Sequence, residues 1–379
     1  TRDDPRLKGM IRCPAFSNLG KNTFYIENPM TTEFDIINGE IKYRGDNFYH
    51  CTISKGKNTF NWGIIGTGGI ANAFSKDLDL LDNHMVTAVL SRTMENAQNF
   101  SENLENCKAY DNIDNFLRDE DICAIYIATP NTLHCIQTIK SLEAKIPVLC
   151  EKPFAMNFEE TNRMIECSKI NSTALLDGMW MRYLPHIIKL KDLLSKNAIG
   201  NIESIYACHG QNLKWSDNPR LWTKELGGGA LLDLGIYVVS FCHMIAGSPE
   251  EIFACSVFTN EGIDSKTSMV FKYDNGVIAN LSCSMYDSQP NRAIIAGSDG
   301  YIEIDHTFYA PTTIRLYKND QEIVEYKNDY EGHGLRQQAK YMEKCVSDNK
   351  LESDKMTHKD TLEVMKIMDD VRRIIGLKF

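Results

Sequence analysis

The sequence predicts an α/β chain in two parts: a doubly wound parallel sheet, followed by an α+β domain built on a large, mostly antiparallel open sheet. Three observations carry this. Between residues 60 and 153 apolar strand-like runs alternate with helix-like stretches, the order that makes parallel strands covered on both faces. The first of those strands ends in a glycine turn, Gly66-Thr67-Gly68-Gly69-Ile70-Ala71, that opens a helix. Past about residue 200, strands follow one another across Asn275-Gly276, Asp299-Gly300 and Asn319-Asp320, which are hairpin signals.

Taken in order, residues 1–59 read as a small β-containing extension of unassigned role. It has alternating and aromatic runs around Asn38-Gly39 and a polar linker, Lys55-Gly56-Lys57-Asn58. Residues 60–180 form the parallel-sheet domain, with strands in FNWGII, HMVTAVL, CKAY, ICAIYIA and PVLCE and helices between them. Residues 181–379 form the second domain, with helices expected over 334–347 and 357–375.

Composition narrows the function classes. The 379 residues are 43% hydrophobic and 24% charged, an ordinary globular balance with more length than one core serves. A net charge of −10 argues against nucleic acid or an anionic membrane surface as partner. No apolar run approaches the roughly 20 residues that span a bilayer, and a cytoplasmic location is expected. The 12 cysteines are scattered without a CxxC pair, which suits reduced core thiols rather than disulfides or a zinc site.

The glycine turn is a GxGxxA between strand and helix, the signature of a Rossmann dinucleotide site. Gly66 permits the tight turn, Gly68 lets a pyrophosphate approach the backbone, and Ala71 allows close helix–strand packing. The helix start at Gly69-Ile70 offers free N–H groups to phosphate. The second strand ends in Ser91-Arg92 where an NAD enzyme places a carboxylate, so NADP is favoured; the competing reading has Arg92 solvating a loop and both cofactors accepted.

Lys152 follows the strand PVLCE, at the carboxyl edge of the sheet where ligands bind, and Pro153 restricts its backbone. In the apolar run after Gly227-Gly228-Gly229, Asp233 and Tyr237 stand four apart and share a helix face. By residue type alone, a solvent-facing lysine, a dipole-compensating carboxylate and a packed tyrosine account for all three.

The runs GTGGIA, ATPNTLH, CEKPFAMN and GGGALLDLGIYVVSF, in this order, resemble the Gfo/Idh/MocA oxidoreductases, nearest the branch of dimeric dihydrodiol dehydrogenase. The resemblance runs from about residue 60 to the end. It implies that Lys152 touches the nicotinamide ribose and the reacting oxygen, that Tyr237 is the general acid with its pKa lowered by Lys152, and that Asp233 orients substrate or lysine. Thr129, Pro130, Asn131, His134 and Glu151 fall in motifs that line the cofactor, with a helix-start histidine that packs or caps as the competing reading of His134, and Arg182 falls in a segment near the nicotinamide. Arg220 and Trp222 are substrate candidates just before the glycine run, and no metal site is expected. The implied activity is NADP(H)-dependent hydride transfer on a sugar, cyclitol or trans-dihydrodiol by a homodimer. The alternatives are an NAD-dependent glycosidase of the same fold and a non-catalytic dinucleotide sensor.

Overall fold

A computed structural model describes residues 59–216, 218–319 and 321–379 in full, and before them the backbone of five short strands. The chain divides into two compact units, Thr1–Thr59 and Phe60–Phe379. In the first, β1 (Met10–Arg12) pairs antiparallel with β2 (Tyr25–Glu27). Three further strands, β3 (Phe34–Ile37), β4 (Glu40–Tyr43) and β5 (His50–Cys51), form an antiparallel sheet. The expected turn Asn38-Gly39 and linker 55–58 lie outside the described residues.

The second unit begins with β6 (Phe60–Ile65), α1 (Gly69–Leu78), β7 (His84–Leu90), α2 (Met94–Ser101), β8 (Lys108–Tyr110), α3 (Ile113–Phe116), β9 (Ala124–Ile127), α4 (His134–Glu143), β10 (Val148–Glu151), α5 (Phe158–Asn171) and β11 (Leu175–Gly178). The six strands are parallel in the order β8-β7-β6-β9-β10-β11. Every residue of β9, β10 and β11 is buried, as expected of strands covered on both faces. The order reverses between β6 and β9, which opens a ligand crevice beyond their carboxyl ends.

The chain then runs through α6 (Pro185–Ser195), β12 (Ile202–Gly210), two 3₁₀ turns (Pro219–Trp222 and Lys224–Leu226), a π turn (Leu231–Gly235) and α7 (Ile236–Ala246). It continues as β13 (Glu251–Phe258), β14 (Asp264–Lys272), β15 (Ile278–Ser284), β16 (Ala293–Gly297), β17 (Gly300–Ile304), β18 (Ile314–Lys318) and β19 (Gln321–Tyr326), and closes with α8 (Arg336–Ser347) and α9 (His358–Ile375). These eight strands form one sheet, β13-β14-β15-β12-β16-β17-β18-β19, antiparallel except where β12 lies parallel to β15. The helical stretch Lys224–Ala246 is in fact long and apolar enough to cross a bilayer, contrary to the expectation from composition. Its apolar window is 78% buried, because α7 packs beneath the eight-stranded sheet, so it reads as a core helix.

The last two helices return to the parallel-sheet layer. Arg336 of α8 makes a buried ion pair with Asp77 of α1 at 2.9 Å, and Glu343 accepts from Asn83 and faces His84. In α9, Thr361 donates to Asp177 at the end of β11. The segment after residue 181 is therefore not confined to the second sheet; its helices brace the first.

Candidate active site

The crevice floor is the turn after β6. Gly66 has φ +106°, and a Cβ there would lie 2.6 Å from the Ala128 carbonyl oxygen, so glycine is required where the turn meets the end of β9. Gly68 and Gly69 differ: a Cβ on either would meet no protein atom within 4 Å. Their open backbone stands at the start of α1, which has no side-chain cap and no acidic residue in its first turn. Free N–H groups, the positive end of the helix dipole and a bare backbone face fit a dinucleotide pyrophosphate. Ile70 is partly exposed beside this turn and Ala71 is fully buried. The Thr67 and Ser91 hydroxyls share a hydrogen bond of 3.1 Å, which fixes the end of β7 against the turn, and Arg92 stands exposed next to it.

The opposite wall starts after β9. Thr129 donates to Gln137 Oε1 at 2.6 Å, and Pro130 leads into a 3₁₀ turn, Asn131–Leu133. The imidazole of His134 is buried between two carbonyls, Pro153 O at 2.9 Å and Thr129 O at 3.0 Å. Burial pulls its pKa down to about 4; the neutral ring has one N–H to donate, so one of these two carbonyls accepts from it and the other does not.

Lys152 extends across the crevice to the π turn that precedes α7. Its Nζ donates to the Asp233 carbonyl at 2.9 Å and approaches Asp233 Oδ1 at 3.3 Å. Arg220 reaches the same carboxylate oxygen at 3.0 Å and donates to Asn131 Oδ1 at 3.4 Å, while Asn131 Nδ2 donates to Gly227 O. Burial pushes the Asp233 carboxyl up, but Lys152 and Arg220 outweigh it and hold the group at about 2. One turn on, Tyr237 places its ring 4.8 Å from Lys152 Nζ and accepts a hydrogen bond from Trp180 Nε1 at 2.7 Å. Lys152, Asp233, Tyr237 and Arg220, separated by up to 85 positions of chain, thus meet at one point.

Three expectations are corrected. Lys152 does not bring the Tyr237 phenol below its usual value: burial raises it well above 10, the nearby Glu151 carboxyl adds to this, and the ammonium lies over the ring rather than at the hydroxyl. Glu151 does not line the cofactor crevice. It is buried below it, with Oε1 accepting from Tyr126 at 2.5 Å and Oε2 from the Lys152 N–H at 3.1 Å, and burial raises its pKa to about 7. Arg182 is buried against α7, donating to Ser240 Oγ and O and facing His243. Trp222 packs edge-on to Tyr286, and its indole N–H has no partner among the described residues.

The sequence reading gave no site role to four residues at this point, taking Trp180 as core and His209 only as lacking metal-ligand spacing. Trp180 caps the Tyr237 hydroxyl; His209 lies 5.3 Å from the Tyr237 ring and Tyr309 lies 4.5 Å from it; Gln211 donates to Tyr309. His209 and Gln211 stand two apart around the end of β12, and Trp180 follows β11, so strand-end position was a usable signal for three of them. Tyr309 sits in an irregular loop and gave none.

Comparison with known proteins places this geometry. Residues 60–177 match the oxidoreductase family with NAD-binding Rossmann fold, and residues 187–303 match the GFO/IDH/MocA C-terminal domain. A trans-1,2-dihydrobenzene-1,2-diol dehydrogenase from Danio rerio is 31% identical over 327 residues, covering 84% of this chain and 97% of that one. A D-xylose 1-dehydrogenase (NADP(+)) from Hypocrea jecorina is 28% identical over 364 residues, covering 85% and 93%. A 3-ketoreductase from Actinomadura kijaniata, solved with NADP and TDP-benzene, has the same fold with a TM-score of 0.75 at 22% identity, covering 84% and 98%. The glycine turn, the crevice at the strand reversal and the two matched domains together make this chain a member of the Gfo/Idh/MocA family, an NAD(P)-dependent oxidoreductase.

Proposed function

We propose that the protein moves hydride between NADP(H) and the CH–OH or C=O carbon of a polyhydroxylated substrate: a sugar, a cyclitol or a trans-dihydrodiol. The observation that carries this reading is the convergence of Lys152, Asp233, Arg220 and Tyr237 at one point. The related diol dehydrogenase and NADP-dependent xylose dehydrogenase support the substrate class, and exposed Arg92 at the end of β7 supports NADP over NAD by offering a cation to a 2′-phosphate.

The bound dinucleotide supplies or accepts the hydride at its nicotinamide ring. The chain does the rest. Reduction leaves negative charge on the substrate oxygen, and the Lys152 ammonium stabilises it. The Tyr237 phenol, kept protonated by burial, gives that oxygen its proton. Asp233 stays ionised and holds Lys152 and Arg220 in place, so neither cation is spent on solvent. Trp180 fixes the direction of the Tyr237 hydroxyl.

We also propose a homodimer, paired through the outer face of the eight-stranded sheet. Phe253, Val257, Val270, Ile278 and Tyr206 fall on one side by strand register and are between 36% and 59% exposed. A second copy is the occupant we propose, and light scattering at micromolar concentration should give twice the chain mass; a monomer would contradict it. Function itself is tested by incubating the protein with NADP⁺ and D-xylose, myo-inositol or a trans-dihydrodiol. Net NADPH formation on at least one is expected. No net redox on any of them, in either direction, would overturn the reading.

A further inference from the structure

Beside Tyr237 the substrate crevice has a polar wall that hydride transfer does not use. His209, 1% exposed, stacks at 4.1 Å on Tyr309, whose ring lies 4.5 Å from that of Tyr237 at an interplanar angle of 32°. Their hydrogen bonds can be assigned atom by atom. His209 Nδ1 lies 3.2 Å from the Leu234 carbonyl, which can accept and never donate, so Nδ1 carries the proton and Nε2 is an acceptor. Gln211 Nε2 lies 2.9 Å from His209 Nε2 and 3.0 Å from the Tyr309 hydroxyl oxygen. Its two protons therefore go one to each. Burial, with the Lys152 charge adding to it, holds the histidine pKa at about 3, so this arrangement does not change across the neutral range.

The assignment leaves two groups without a partner among the described residues. Gln211 Oε1 is an acceptor, and the Tyr309 O–H is a donor. Both side chains are partly exposed, so both groups are open to a ligand, and both are fixed in direction by the relay from Leu234, the residue next to Asp233. A hydroxyl group is the ligand that donates and accepts at once.

We propose that Gln211 and Tyr309 together bind the hydroxyl adjacent to the one that exchanges hydride, so that the enzyme selects vicinal polyols over lone alcohols. The inference rests on the oxidoreductase reading above and deepens it. A pocket built to bond a hydroxyl discriminates strongly against the analogue that lacks it, because its own polar groups are then left unpaired. The apolar alternative at these positions would show no such preference.

The test compares D-xylose with 2-deoxy-D-xylose, and trans-cyclohexane-1,2-diol with cyclohexanol. Turnover with NADP⁺ and binding to the NADPH-loaded protein, read by NADPH fluorescence, are followed for wild type, Tyr309→Phe and Gln211→Leu. Wild type should favour the hydroxylated member of a pair by at least about tenfold. Tyr309→Phe, which removes one oxygen and keeps the ring, should bring that ratio close to one by loss on the hydroxylated member, and Gln211→Leu should do the same. An unchanged ratio in Tyr309→Phe, an equal fall on both members, or a wild type that discriminates in neither pair would overturn the inference. A wild type that binds the hydroxylated member better yet turns over nothing keeps the hydroxyl subsite at Gln211 and Tyr309 and overturns the oxidoreductase substrate reading instead.

Discussion

Asp233→Asn is the substitution that most sharply separates electrostatics from shape at this site. The carboxylate lies within 3.3 Å of Lys152 Nζ and 3.0 Å of an Arg220 nitrogen, and its side chain is 13% exposed. Holding its pKa at about 2 instead of its ordinary 3.8 corresponds to about 2 kcal/mol of folded-state stability. The pKa is lowered on folding, so that stability is fully present above about pH 4 and is lost as the pH falls through about 2. Asparagine keeps the shape and an acceptor but leaves the two cations facing each other unneutralised, a change that costs at least as much. The variant should melt about 3 °C lower at pH 7, and the gap should narrow below pH 4. The assay is thermal unfolding of both proteins from pH 8 to 3, with turnover measured in parallel. Turnover should fall about tenfold or more, because Lys152 keeps its bond to the Asp233 carbonyl but loses the carboxylate that balances its charge and that of Arg220. Equal melting at pH 7, or a gap that widens in acid, would refute the charge assignment.

Arg92→Ala should weaken NADPH binding by about 1.5 to 3 kcal/mol and leave NADH binding nearly unchanged; equal losses for both, by fluorescence titration, would remove Arg92 from the 2′-phosphate. The two kinds of glycine in the turn should part company. Gly66→Ala meets the Ala128 carbonyl at a left-handed φ and should destabilise the fold by about 1 to 3 kcal/mol, whereas Gly68→Ala should fold normally and lose dinucleotide affinity. Because burial raises the Tyr237 phenol, carbonyl reduction should show no falling limb due to this group below about pH 10; such a limb, absent in Tyr237→Phe, would contradict a protonated phenol in the resting site.

Much of the architecture was legible because local signals agreed with the fold. Strand-helix alternation gave the parallel sheet, Asp233 and Tyr237 shared a face at spacing four, and Gly66 declared a turn that glycine alone makes without strain. Side-chain direction was not legible. Arg182 lies in a 3₁₀ turn after β11, and whether it faces the crevice or the core is decided by where Ser240 and His243 of α7 pack, more than 50 positions away. Glu151 was read with its neighbour Lys152, yet adjacent strand residues point to opposite sides, and the partner that draws it inward is Tyr126 on the neighbouring strand. The contact of Gln211 with Tyr309 spans 98 positions and joins a strand end to an irregular loop, so no periodicity reports it.

The central claim is that Lys152 and Tyr237 act as one unit on one oxygen, and single-turnover hydride transfer tests it most directly. NADPH consumption would be followed on a good carbonyl substrate in wild type, Tyr237→Phe, Lys152→Met and the double variant, with NADPH affinity measured for each. Tyr237→Phe should bind NADPH almost as wild type does and transfer hydride roughly 10²-fold more slowly, within the range of a lost general acid. Lys152→Met should be at least as slow, and the double variant should be little slower than the worse single one, because the two groups serve the same oxygen. A Tyr237→Phe variant that keeps near wild-type transfer, or losses that multiply in the double variant, would contradict the account.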